Sequence, residues 1–101
     1  MAKADLLPMG SLVYLKGGDI KLMIIARGPV FEDDKGETVY ADYLGAPYPG
    51  GFQPNEGAFF NQDAIDRVIF KGYEDEEEER YREVYSEWEA DLKIEKAKTP
   101  E

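Results

Sequence analysis

A chain of 101 residues with 43% hydrophobic and 13% aromatic content is long enough for one domain with a modest core, which excludes wholesale disorder and a multidomain plan. The net charge of −10 is carried unevenly: residues 1–73 hold seven Lys/Arg against ten Asp/Glu, and residues 74–101 hold five against twelve. So acidic a chain is repelled by phosphate backbones and anionic bilayers, so no nucleic-acid and no membrane partner is expected, whereas a basic or apolar protein partner fits.

Taken in chain order, Met1 to Asp5 is polar and Leu6-Leu7 is too short for the apolar stretch of a signal peptide, so the expected location is cytoplasmic. Leu12 to Leu15 and Leu22 to Ile25 are short apolar runs separated by Lys16-Gly17-Gly18-Asp19, the glycine content of a tight hairpin. Arg27 to Phe31 extends the second strand, with Gly28-Pro29 marking a kink or an edge. Asp33-Asp34-Lys35-Gly36 is a second turn, and Thr38 to Leu44 a third strand whose alternation gives its faces different polarity. Gly45 to Gly57, rich in Gly and Pro, reads as an irregular loop. Phe59-Phe60 returns to the sheet, Asn61 or Asp63 caps a short helical turn through Ile65, and Arg67 to Lys71 is the last strand.

From Glu74 the pattern changes to helix. Tyr81, Val84, Tyr85, Trp88 and Leu92 recur on one stripe of a 3.6-residue period. Acids crowd the first turns, and Lys93, Lys96 and Lys98 fall in what reads as the last, the polarity that suits the helix dipole. The expectation is an α+β protein: a small bent antiparallel sheet or SH3-like half-open barrel of about five strands, with a C-terminal amphipathic α-helix. Residues 1–73 form the β-rich core with its Pro/Gly loop at 45–57. Residues 74–98 form the acidic-start helix, which either belongs to the same domain or serves as a partner-binding arm.

The composition leaves little equipment for catalysis. Without histidine or cysteine, the commonest general base, the commonest transition-metal ligand and the thiol nucleophile are missing, so no enzyme, cofactor or metal site is expected. Ser11 and Ser86 have no candidate base. Asp63 and Asp66 suit capping better than acid–base work. The acidic run from Glu74 to Glu79 lacks the alternate ligands and central glycine of a calcium loop, and Gly17-Gly18 lacks the Lys-Ser/Thr and helix of a phosphate loop. The residues picked out as partner contacts are Tyr48 and Phe52, presented by the Pro/Gly loop, and Trp88 and Leu92 on the helix.

Five segments share an order and spacing with a known family: Leu7 to Ser11, Leu15 to Gly18, Leu22 to Arg27, Asp42 to Gly50, and Phe59 through Ile65, Val68 and Phe70 to Tyr73. Together they resemble a small domain-of-unknown-function family of Gram-positive bacteria, encoded beside LXG polymorphic toxins and type VII secretion genes. The likeness runs from Leu7 to about Tyr85, with one departure at Ala46, where another small residue, often cysteine, is expected. It implies a non-enzymatic cytoplasmic chaperone or targeting adaptor for a cognate secreted toxin. The alternative is an immunity protein that occludes a toxin domain. The family carries no catalytic residues over to this chain.

Overall fold

The computed structural model describes residues 6–99 and contains eight strands, a 3₁₀ turn and a helix. Leu12–Leu15 (β1) and Leu22–Arg27 (β2) are antiparallel across the expected glycine turn, with Leu12 opposite Met23 and Val13 opposite Leu22. Arg27 to Phe31 does not extend the second strand as expected: β2 ends at Arg27, and after the break at Gly28-Pro29 Val30–Glu32 (β3) enters another sheet, pairing with Thr38–Tyr40 (β4) across Asp33 to Gly36. There the Asp33 carboxylate accepts the Lys35 and Glu37 amides, both at 2.9 Å, the side-chain turn that Asp favours. Tyr43–Pro47 (β5) and Ala58–Phe60 (β6) pair with each other. Ile65–Phe70 (β7) lies along β1.

The result is α+β, as expected, and not a closed barrel. Five strands form an antiparallel sheet in the order β6-β5-β2-β1-β7. A second sheet was not foreseen: β3 and β4 are joined by Glu95–Lys96 (β8), which runs parallel to β4. Alternation along the central strands sends Val13, Leu22 and Ile24 inward to meet Tyr43, Phe60 and Leu6 in one buried cluster. The rings of Tyr43 and Phe60 pack tilted at 5.4 Å.

Other expectations need correction. The run Thr38 to Leu44 is two strands, broken at Ala41-Asp42, because Asp42 is bound by other parts of the chain. Its carboxylate accepts the Gln62 amide at 2.8 Å and faces the Lys96 ammonium at 2.8 Å. The Pro/Gly loop begins later than expected, since Gly45 to Pro47 lie in β5 opposite β2; Gly45 and Ala46 are buried, and small residues suit that crowded position. Finally, the 3₁₀ turn Gln62–Ala64 forms, yet no side chain of its own caps it; Asp42 supplies the acceptor. Asn61 is spent on Asp42 N and the Ala97 carbonyl instead.

The helix Glu76–Asp91 (α1) starts at Asp75, whose carboxylate accepts the Glu78 amide at 3.1 Å, with four glutamates in its first turn. It stops well short of residue 98. No basic residue lies in its last turn, and residues 95–96 become β8. Lys96 leaves the dipole to pair with Asp42 and with Glu89 at 3.4 Å, while Ala97 N–H donates to the Tyr40 carbonyl at 2.7 Å. Tertiary partners thus overrule the helical pattern beyond Leu92.

The helix lies on its own sheet system. Tyr85 belongs to the core cluster, and Trp88 packs against it and edge-on to Tyr40 at 5.6 Å. Gly28 makes this possible. It has φ +67°, and a Cβ there would sit 2.8 Å from Tyr85 Cε2 and 3.1 Å from Trp88 Cζ3.

The Tyr85 hydroxyl, though buried, has no hydrogen-bond partner among the described residues. Burial first, then the charges of Glu89 and Asp42, push its ionisation well above the usual phenol range; burial, then Glu89, does the same to Tyr40. A folded-state pKa above the unfolded one gives stability that is intact below pH ~10 and lost as pH rises beyond it. Tyr85→Phe is therefore expected to be neutral or to stabilise by about 1 kcal/mol at pH 7. It should also flatten the loss of stability above pH ~10. Urea titrations at neutral and alkaline pH check this, and a clear destabilisation by Tyr85→Phe would contradict it.

Candidate functional site

The acidic segment that opens α1 is less of a free acidic face than its composition suggests. Glu78 is buried, and its carboxylate meets the Arg27 guanidinium of β2 at 2.5 Å; the two side chains are 6% and 9% exposed. Arg27 also donates to the Leu7 carbonyl at 3.4 Å and lies over the Tyr81 ring at 4.3 Å. Arg82 Nε stands 3.1 Å from Glu78 without hydrogen-bond alignment, while its terminal nitrogen pairs with Glu74. That hydrogen bond from Arg82, helped by Lys71, holds the Glu74 carboxyl below its usual range. Glu76 and Glu77, in contrast, are exposed. The segment divides into structural acids at 74, 75 and 78 and the solvent-facing Glu76 and Glu77, a division that sequence reasoning missed. The available signal was Arg27, a charge closing an otherwise apolar strand.

The expected contact residues do not form one surface. Tyr48 and Phe52 are about half exposed on the loop after β5, with Lys21 Nζ 5.3 Å from the Tyr48 ring centre. The Phe52 ring leans over Gly57, where a Cβ would lie 2.8 Å from Phe52 Cε1. Trp88 and Leu92 are half-buried on α1, Trp88 against the core and Leu92 as the helix C-cap. No ring contact or hydrogen bond joins the two pairs among the described residues. Ser11 is buried and committed to the fold: its hydroxyl donates to the Pro8 carbonyl at 2.8 Å and accepts the Gly72 amide at 3.0 Å. Among the described residues no acidic cluster is arranged to hold a metal ion, and no helix is long and apolar enough to cross a membrane.

The strand expected over Arg67 to Lys71 forms as β7, but its exposure was not foreseen. It is the outer strand of the five-stranded sheet, and Val68, Ile69, Phe70 and then Tyr73 are 45%, 44%, 57% and 78% exposed. Its ladder to β1 is interrupted twice, leaving Asp66 and Ile69 as extra residues. Such bulges, with Arg67 stacked on Tyr14 at 4.8 Å, discourage continuous pairing with another strand. What remains open is a set of apolar side chains, Val68, Ile69, Phe70 and Tyr73, interrupted by Lys71 and Gly72 and followed along the chain by the acids that begin α1. Grouped apolar exposure of this kind next to charge marks protein-contact surfaces.

Comparison with known proteins gives one match: the model of a family described as a domain of unknown function, DUF4176, fits residues 6–81. No curated protein and no solved structure matches the chain.

Proposed function

Because the chain belongs to the DUF4176 family over most of its length, we propose that it acts as that family's resemblance implies, as a non-enzymatic cytoplasmic chaperone or targeting adaptor for a cognate type VII-secreted LXG toxin. The observation that carries a protein-binding role is the exposed strip Val68, Ile69, Phe70 and Tyr73 beside the solvent-facing Glu76 and Glu77. A partner segment that combines apolar side chains with Lys or Arg satisfies both halves of that surface. Tyr48 and Phe52 form a second, separate apolar contact area. The same acidic face also suits the alternative role, an immunity protein that covers a basic toxin domain.

Co-expression with a cognate LXG toxin tests the main reading. The toxin is expected to co-purify and to gain solubility; a toxin that does neither refutes the proposal. Expressing the chain alone in a toxin-sensitive cell separates the two roles, since protection belongs only to an immunity protein. Within a captured complex, Phe70→Ser with Tyr73→Ser is expected to weaken binding by about tenfold or more, and Tyr48→Ala with Phe52→Ala by less. Both variants should stay folded with thermal midpoints close to wild type, because all four rings are about half exposed or more. Unchanged capture by the Phe70/Tyr73 variant would remove β7 from the interface.

A further inference from the structure

Beyond the first residue of β7 and outside the exposed Val68 to Tyr73 stretch, a cleft of about 350 Å³ opens where the end of β1, the β6–3₁₀ corner and the C-terminal segment meet. Its apolar wall includes Leu15, Phe59, Phe60 and Ala64, and its two charged lining residues are Lys16 and Lys98. Phe59 is anchored from behind by parallel stacking on Phe31, with ring centres 3.9 Å apart, yet stays 46% exposed.

The polar groups of the cleft are unevenly available. Asn61 is consumed, accepting Asp42 N at 3.0 Å and donating to Ala97 O at 2.6 Å and Thr99 Oγ1 at 3.4 Å. The Thr99 hydroxyl donates to Asp63, on an adjoining depression that Lys98 also borders, and Asp42 there is held by Lys96. Lys16 and Lys98 are exposed and form no ion pair among the described residues, although the chain carries a net charge of −10. The cleft therefore offers an apolar wall and donors, without a free acceptor among the polar side chains of its wall. That combination complements an apolar body bearing a carboxylate. The volume lies at the low end of ligand pockets, about 300–1,000 Å³, which suits one large side chain and its neighbouring group.

We propose that this cleft captures the C-terminal residue of a partner polypeptide, its apolar side chain against Phe59 and Leu15 and its α-carboxylate on the Lys16 and Lys98 ammonium groups. The site stands apart from the β7 surface, and neither depends on the other.

The test uses the full chain, ¹⁵N-labelled, titrated with acetyl-Gly-Ala-Ala-Phe as the free acid and as the amide. The free acid is expected to shift the amides of Phe59, Ala64 and Lys98 saturably. Both amidation of the peptide and the variant Lys16→Gln with Lys98→Gln should weaken binding about tenfold, with the thermal midpoint of the variant unchanged. The proposal is overturned by equal binding of acid and amide, by shifts centred on Tyr48 or β7, or by no saturable shift up to ~10 mM peptide. Titration with 3-phenylpropionate is the third arm. Affinity equal to that of the peptide would assign the cleft to small carboxylates and refute capture of a chain terminus.

Discussion

Gly72→Ala is expected to destabilise the protein by about 3 kcal/mol, as an overpacked and unyielding position does. A Cβ at residue 72 would stand 2.2 Å from the Met9 carbonyl oxygen and 3.1 Å from Ser11 N. Both are backbone atoms, so no side chain can swing aside. The segment is further pinned because Gly72 N–H donates to the buried Ser11 hydroxyl at 3.0 Å, which itself donates to Pro8. Moving residue 72 outward breaks that bond and leaves a buried hydroxyl short of a partner, which adds to the cost. Gly50→Ala is the control: a Cβ there meets nothing within 4 Å, and its effect should stay within about 0.5 kcal/mol. Urea unfolding of both variants decides the matter; equal midpoints would show that the Met9–Gly72 contact is loose.

The second large effect lies at the Arg27–Glu78 pair. Removing one member of a buried ion pair leaves the other desolvated and costs about 3–5 kcal/mol, whereas replacing both with apolar residues of similar size is often neutral. The two ends are unequal. Arg27→Ala leaves Glu78 near Arg82, at 3.1 Å from its Nε. Glu78→Ala leaves Arg27 with only the Leu7 carbonyl and the Tyr81 ring. Glu78→Ala is therefore expected to be the costlier change. Arg27→Met with Glu78→Leu should recover most of the loss. Chemical denaturation of the two single variants and the double variant measures the coupling directly. Single variants each costing under ~1 kcal/mol would show that water screens the pair, as it does at exposed sites.

The parts of this fold legible in the sequence were those decided locally. The Gly17-Gly18 hairpin, the Asp33–Gly36 turn and the acidic start of α1 each follow from the preferences of adjacent residues. What escaped was decided at a distance. Asp42 breaks a strand because Gln62 and Lys96 each hold one oxygen of its carboxylate, and β8 exists because Val39 and Tyr40 offer an open edge to Glu95 and Lys96. Inside a run of six acids nothing distinguishes Glu78 until Arg27 is placed beside it. At the candidate surfaces, Tyr48 and Phe52 were recognisable because Pro and Gly flank them. Val68, Ile69 and Phe70 were legible as part of a last strand but not as a surface, since period and composition do not say that a strand will lie outermost.

The parallel pairing of β8 with β4 joins residues separated by more than half the chain, and Asn61 ties the Ala97 carbonyl to the same place. During synthesis, then, the first seven strands leave the ribosome before the helix that supplies Tyr85 and before the segment that completes the second sheet. Closure of the second sheet waits until residues 95–97 have been made, because these long-range contacts join them to residues 39–61. A nascent copy offers its core, Gly28 and the β4 edge to its surroundings until Tyr85, Trp88 and residues 95–96 arrive.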